Sequence, residues 1–159
     1  SALDVLAGEV KKLGVQNGVV ISPDVGGVKR ARNFAYLLDL PMVVMEKKRF
    51  LDRHDTSEAF QIIGDVSGKT AIIIDDVIST GGTIAHSAKS LKEAGVTKVI
   101  ACATHAVLAG NAKETLSAVA IDQIFLTDTI ATTPEKMMEK IHTVSIAPLL
   151  ADAIARLVG

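Results

Sequence analysis

The residues with the most chemistry in this chain stand close together. Asp75 and Asp76 end an apolar run of Ile72, Ile73 and Ile74, and a little further on Thr80, Gly81, Gly82 and Thr83 open a helical pattern. Neighbouring residues of a strand point to opposite faces, so two carboxylates ending so apolar a run are not both casual surface groups. They can hold sugar hydroxyls or, through water, a magnesium ion. At a helix start the first N–H groups lack intrahelical partners and the dipole is positive, so that end can receive an anion. Glycine lets the backbone come close to the anion, and the hydroxyls of Thr80 and Thr83 can add donors. A glycine pair by itself reads as an ordinary strand-to-helix turn with a threonine cap. With the acid pair beside it, the combination fits a sugar phosphate.

The elements that must position these groups follow from periodicity. Short apolar runs rich in β-branched residues recur at 19–21, 42–45, 71–74, 99–103, 124–126 and 144–146, and each reads as a buried strand. Helical spacing separates them at 31–38, 83–94, 112–119, 134–141 and 148–157, and an amphipathic pattern of Leu3, Leu6, Val10 and Leu13 precedes them. Alternating strand and helix predicts an α/β domain, a mostly parallel sheet flanked by helices on both faces, with ligands at the carboxyl ends of the strands. Residues 50–68 are charged and weakly periodic, and read as a mobile loop over the site.

Bulk properties narrow the class. The 159 residues suit one well-buried core, and about half of them, 48%, are hydrophobic. Seventeen Lys plus Arg against eighteen Asp plus Glu leave no overall field to draw nucleic acid or an anionic membrane. One cysteine, Cys102, cannot staple a fold, and no stretch has the length of a transmembrane helix or the form of a secretory signal. A soluble, cytoplasmic protein is the expectation. The basic residues are nonetheless local: Lys29, Arg30, Arg32, Lys47, Lys48, Arg49 and Arg53 place seven of the seventeen within residues 29–53. On its own the stretch around Lys47 reads as a solvated face.

The run at 72–84 resembles the phosphoribosyl-diphosphate binding loop, which type I phosphoribosyltransferases share with ribose-phosphate diphosphokinases. Two further stretches choose between those families. "ISPDVGGVKRA" at 21–31 looks like the diphosphokinase motif in which the aspartate, here Asp24, helps hold a magnesium ion, and "MEKKRF" at 45–50 looks like its catalytic Lys-x-Arg. "IIGDVSGKTAIIIDD", "THAVLAGNA", "LTDTI" and "VSIAPLLADAIARL" extend the likeness over essentially the whole chain.

The resemblance implies a phosphoribosyltransferase type I fold and transfer of a diphosphoryl group from MgATP to the C1 hydroxyl of ribose 5-phosphate. Lys47 and Arg49 would be catalytic. Asp75, Asp76, Ser79, Thr80, Gly81, Gly82 and Thr83 would bind ribose 5-phosphate, and Asp24 would bind Mg2+. It further implies that residues 1–159 are the C-terminal half of a two-domain, homo-oligomeric enzyme, poorly active alone. The start at Ser1 fits that expectation. Ser79 departs from the pattern, standing where many relatives place a third aspartate.

Alternatives are a complete phosphoribosyltransferase, for which no extra base-covering segment is visible, and a non-catalytic regulatory homologue, which should have lost the Lys-x-Arg pair or Asp24. A receiver-like domain would explain paired acids but not the glycine turn. Among the histidines, His86 reads as solvated, His54 as a surface residue of the loop and His142 as structural. His105, at a strand's carboxyl end, is open between structure and site, and no Cys or His cluster has zinc spacing.

Overall fold

The protein's structure is a computed structural model that describes residues 1–49 and 58–159, with the side chains of Arg49 and Glu58 excepted. In chain order the elements are α1 (Ala2–Lys12), β1 (Gly18–Ser22), α2 (Val28–Leu38), β2 (Met42–Arg49), β3 (Glu58–Ile63), β4 (Thr70–Ile78), α3 (Gly82–Glu93), β5 (Lys98–Ala106), α4 (Ala112–Ser117), β6 (Gln123–Thr127), β7 (Ile141–Val144) and α5 (Ala147–Val158). The strands form one sheet in the order β3-β2-β1-β4-β5-β6-β7. Every pairing is parallel except that of β3 with β2.

Strand alternation sorts the apolar residues onto two faces. Val19, Ile21, Met45, Ala71, Ile73, Val99 and Ala101 pack against Ile84, Ala88 and Leu91 of α3 and Leu116 of α4. The intervening residues Val20, Ile72, Ile74, Ile100 and Phe125 pack against Leu6 and Val10 of α1 and Phe34 of α2. A parallel sheet covered on both faces explains why the central strands are apolar without interruption. The α/β architecture read from the sequence is the one observed. Among the described residues no helix is long and apolar enough to cross a membrane.

Two segments differ from expectation. The region read as irregular, 50–68, contains β3 antiparallel to β2, with Phe60 opposite Lys47 and Ile62 opposite Met45. Phe60 and Ile62 are partly buried against the core, forming a short edge strand whose alternation is blurred in the sequence by the exposed Ile63. Residues 50–57 of the proposed loop lie outside the described residues. The second difference is at 134–141, where only a 3-10 turn, Pro134–Lys136, forms. Met137 is extended there, with ψ of 152°, and Met137 and Met138 pack partly buried against the core. The last strand consequently starts at Ile141 rather than at 144.

The order of the sheet locates the site. Successive strands run from β1 outward to β2 on one side and from β4 outward to β5 on the other, so the winding direction reverses between β1 and β4. In doubly wound sheets that switch point opens a crevice at the carboxyl ends of its two strands.

Candidate functional site

A cavity of about 250 Å³ occupies that crevice, lined by Asp24 and by the continuous run Asp75 to Ile84. Larger hollows of about 560 Å³ between β3 and α3 and about 830 Å³ beside the 3-10 turn lie away from this switch point. At the end of β1, the buried Ser22 hydroxyl donates to the Asp24 carbonyl at 2.7 Å. Asp24 Oδ1 accepts the Gly27 N–H at 2.8 Å. These two bonds fix the turn from β1 into α2 and set Asp24 at the rim of the cavity.

The third residue of α2 is Arg30, and its guanidinium spans the acid pair. Nη1 lies 3.2 Å from Asp75 Oδ1, and Nη2 lies 3.0 Å from Asp76 Oδ2. The Asp76 N–H also donates to Asp75 Oδ1 at 2.8 Å. Side-chain exposure of 15% for Asp75 against 58% for Asp76 makes the two carboxyls inequivalent. Burial, reinforced by the Asp76 side chain, pushes the Asp75 carboxyl up to about 6 despite the Asp76 amide and Arg30. Burial raises Asp76 as well, but its bond with Asp75 and the Arg30 charge outweigh it and hold Asp76 below the ordinary carboxylate range. The Arg30 bridge is the part of this site that sequence reasoning missed. In the sequence Arg30 is only one of seven clustered cations, and the β1–β4 pairing is what carries the first turn of α2 across the end of β4.

Beyond the aspartates β4 continues to Ile78, and the turn enters α3 through Gly81 at φ of 82°. Among the described residues no side chain caps α3, so the threonine cap that an ordinary turn would show is absent there. The opening amides of α3 therefore have no side-chain acceptor where Gly81 to Ile84 line the cavity. The turn's carbonyls are engaged on the other side. Ile78 O accepts the N–H groups of Val107 and Leu108 at 3.1 and 3.0 Å, and Ser79 O accepts that of Ala109 at 2.9 Å. One end of the cavity thus carries two carboxylates shared by one guanidinium, and the other end carries an uncapped helix terminus. That arrangement suits a ligand with hydroxyls at one end and an anion at the other.

Of the residues picked from sequence, Asp24, Asp75, Asp76, Ser79, Thr80, Gly81, Gly82 and Thr83 line this one cavity. Lys47 does not. It stands on β2, two residues past the buried Met45 and hence on the α3 face of the sheet, with β1 between it and β4. The Arg49 side chain, Arg53 and His54 lie outside the described residues. His86 is exposed on α3 and stacks on Phe60 with ring centroids 6.2 Å apart, while His142 stacks on Phe125 at 5.1 Å. Among the described residues no three His, Cys, Asp or Glu side chains are grouped to hold a metal.

Comparison with known proteins decides the family. Residues 50–159 match the model of the phosphoribosyl synthetase-associated domain. The chain belongs to that family. A ribose-phosphate pyrophosphokinase 1 of Streptococcus mutans is 48% identical over 139 residues, 87% of this chain and 43% of that protein. A crystal structure of phosphoribosylpyrophosphate synthetase from Mycobacterium smegmatis superposes with a TM-score of 0.88 at 35% identity, covering 98% of this chain and 50% of the other. The chain therefore spans about half the length of these relatives. An adenine phosphoribosyltransferase, 17% identical, superposes with a TM-score of 0.62 over 79% of this chain and 76% of its own, which shows the shared phosphoribosyltransferase-type fold.

The two glycines of the turn should separate folding from binding. A Cβ on Gly81 would sit 2.9 Å from Leu116 Cγ at a backbone angle that other residues rarely adopt, whereas one on Gly82 would meet nothing nearer than Thr80 Oγ1 at 3.8 Å. Gly81→Ala is expected to destabilise the fold by roughly 1–3 kcal/mol in urea unfolding. Gly82→Ala should leave the unfolding midpoint unchanged or raised, yet weaken phosphate binding followed by 31P NMR.

The raised Asp75 carboxyl gives a second test. A group that holds its proton more tightly when folded contributes stability that is complete below its unfolded value, near 4, and is lost as pH rises through about 6. Asp75→Asn removes this titration. Its Tm should gain on wild type as pH rises from about 4 to about 7; a Tm difference that stays constant over that range would show that Asp75 ionises normally.

Proposed function

We propose that this chain is the ribose 5-phosphate-binding half of a ribose-phosphate diphosphokinase, the C-terminal half of a two-domain enzyme. The intact enzyme transfers a diphosphoryl group from MgATP to the C1 hydroxyl of ribose 5-phosphate, giving phosphoribosyl diphosphate and AMP. The observation that carries this is the single cavity in which the Asp75–Asp76 pair and the uncapped start of α3 face one ligand volume. The named relatives support the diphosphokinase assignment over a phosphoribosyltransferase, whose likeness to this chain is one of fold. A regulatory homologue without activity should have lost Lys47 or Asp24, and the chain keeps both.

In this reading the α3 amides, with Thr80 and Thr83, hold the 5-phosphate, and Ser79 adds a hydroxyl without a further negative charge beside it. Asp75 and Asp76 accept from the ribose hydroxyls and so fix the orientation of the C1 hydroxyl. Arg30 holds the carboxylates in place. Phosphoryl transfer depends mainly on positioning and charge stabilisation, which assigns Lys47 on β2 and Arg49 at its end to the polyphosphate. A magnesium ion fits here because such sites use one or two carboxylates, with water and substrate phosphates completing the shell, and exposed Asp24 is an oxygen donor at the cavity rim. When bound, the ion would neutralise charge on the polyphosphate. ATP contacts, a further metal ligand and a homo-oligomer belong to the intact enzyme. An exposed apolar stripe on α5, Leu150, Ile154 and Leu157, supports further structure packing there.

Calorimetry should find ribose 5-phosphate binding to the 159-residue chain, with ribose binding far more weakly, and a coupled AMP assay should find little turnover. Turnover typical of a full enzyme would overturn the two-domain assignment, and failure to bind ribose 5-phosphate would overturn the site. In the intact enzyme Lys47→Ala should lower kcat far more than it weakens ribose 5-phosphate binding; equal losses would move Lys47 from catalysis to binding.

A further inference from the structure

The acid pair lies where β4 stops alternating. Ile73 and Ile78 pack into the same core cluster, although an odd and an even position of a regular strand face opposite ways. The ladder to β5 pairs Asp75 with Ala103 and Val77 with His105, and skips Asp76. The pleat therefore does not decide where the two carboxyls point, yet both line one cavity.

What orients them comes largely from outside the strand. Arg30 gives Nη1 to Asp75 and Nη2 to Asp76, one nitrogen to each carboxyl rather than both to one. A planar guanidinium holds its nitrogens at a fixed spacing, so here it sets one carboxyl beside the other. Among the described residues that line the cavity Arg30 is absent, so it acts on a ligand there through the two carboxyls.

The turn ahead of α2 keeps a place for this guanidinium. A Cβ on Gly27 would lie 3.3 Å from Arg30 Nη1, 3.1 Å from the Ser22 hydroxyl and 3.5 Å from Asp24 Oδ1. Gly27 has a φ of −86°, open to any residue, so what the position excludes is bulk. The arginine is thus packed along its way to the acid pair, against the same groups that set Asp24.

We propose that Arg30 makes this site selective for a vicinal diol: by holding Asp75 and Asp76 side by side, it lets both accept from adjacent hydroxyls of one sugar. This rests on the ribose 5-phosphate reading above and adds to it the positioning residue that decides which sugar phosphates are accepted. Without the guanidinium, two neighbouring carboxylates repel and part, and a sugar with two adjacent hydroxyls loses its advantage over a sugar with one. With it, a pair set for two donors is left partly unpaired by a sugar that brings one. Asp75 is largely buried, so water repairs that loss poorly.

Inorganic phosphate, 2-deoxyribose 5-phosphate and ribose 5-phosphate, titrated separately into the 159-residue chain by calorimetry, test this. The 2-hydroxyl belongs to every vicinal pair in the furanose of ribose 5-phosphate, so the deoxy sugar has none. The titrations are run at a pH well above the value of about 6 at which Asp75 ionises. The wild-type chain should prefer ribose 5-phosphate to the deoxy sugar about tenfold, the worth of one hydrogen bond to a charged acceptor. Arg30→Lys keeps the charge but offers a point in place of a fork. It should cut that preference to about twofold and leave inorganic phosphate binding unchanged. Gly27→Ala keeps the arginine but crowds its guanidinium, and should lower the preference by a smaller factor. A full preference retained in Arg30→Lys would overturn the proposal; if that variant fails to fold, a full preference in Gly27→Ala does so. Equal losses for all three probes would overturn it too, because Arg30 would then serve the fold or the overall field rather than the diol. A wild-type chain that prefers ribose 5-phosphate to phosphate but not to the deoxy sugar would sink the selectivity and spare the reading beneath it. One that gains nothing from either sugar would strike the ribose 5-phosphate reading itself.

Discussion

The site depends on the parallel pairing of β1 with β4. Gly18 through Ile21 lie in register with Thr70 through Ile73, and from that shared ladder the two strands release their turns side by side. No local preference of either turn could bring Asp24, Arg30 and the Asp75–Asp76 pair together, since some fifty residues separate them in sequence. What does so is the uninterrupted burial of Val19, Val20 and Ile21 against Ala71, Ile72 and Ile73, with no exposed surface on either face. A one-residue slip would exchange the two faces of β4 and carry Asp75 away from Arg30. The hydrophobic core therefore sets the electrostatics of the cavity.

Those electrostatics are unbalanced in a useful way. One guanidinium serves two adjacent carboxyls, and the more buried of them resists ionising until the pH is near 6. The opposite end has opening helix amides with no side-chain cap, and a Gly81 backbone that leaves no room for a side chain against Leu116. The two ends suit the two parts of one ligand, hydroxyls at the acid pair and an anion at the helix start. Both open on one volume of about 250 Å³, which is a more specific arrangement than either makes alone.

How much of this was legible in the sequence follows from how local the determinant is. The helix start at Gly82 and the run from Ile72 to Asp76 could be read because apolar period, adjacent acids and paired glycines are all short-range signals. β3 could not, since exposed Ile63 blurs the alternation of its two inward residues Phe60 and Ile62, which gain their meaning only from lying opposite Lys47 and Met45. The stretch from Pro134 kept a helix-like spacing of Met137, Met138 and Ile141, but after the tight turn at Pro134 Met137 is extended and Ile141 begins a strand, and all three reach the core without a helix. Arg30 was harder still. Its significance is a matter of which strand lies next to which, information that appears in no window of the chain.

The segment after β5 holds the glycine turn from outside the cavity. Val107, Leu108 and Ala109 donate to the carbonyls of Ile78 and Ser79, and Leu108 is buried at a φ of 47° in the same core cluster as Leu116, the side chain that leaves Gly81 no room for a Cβ. A non-glycine residue keeps such a conformation only where its surroundings over-determine it. With its carbonyls held on that side, the turn enters α3 in one shape, and the opening amides of α3 face the cavity from a backbone fixed by the core behind it.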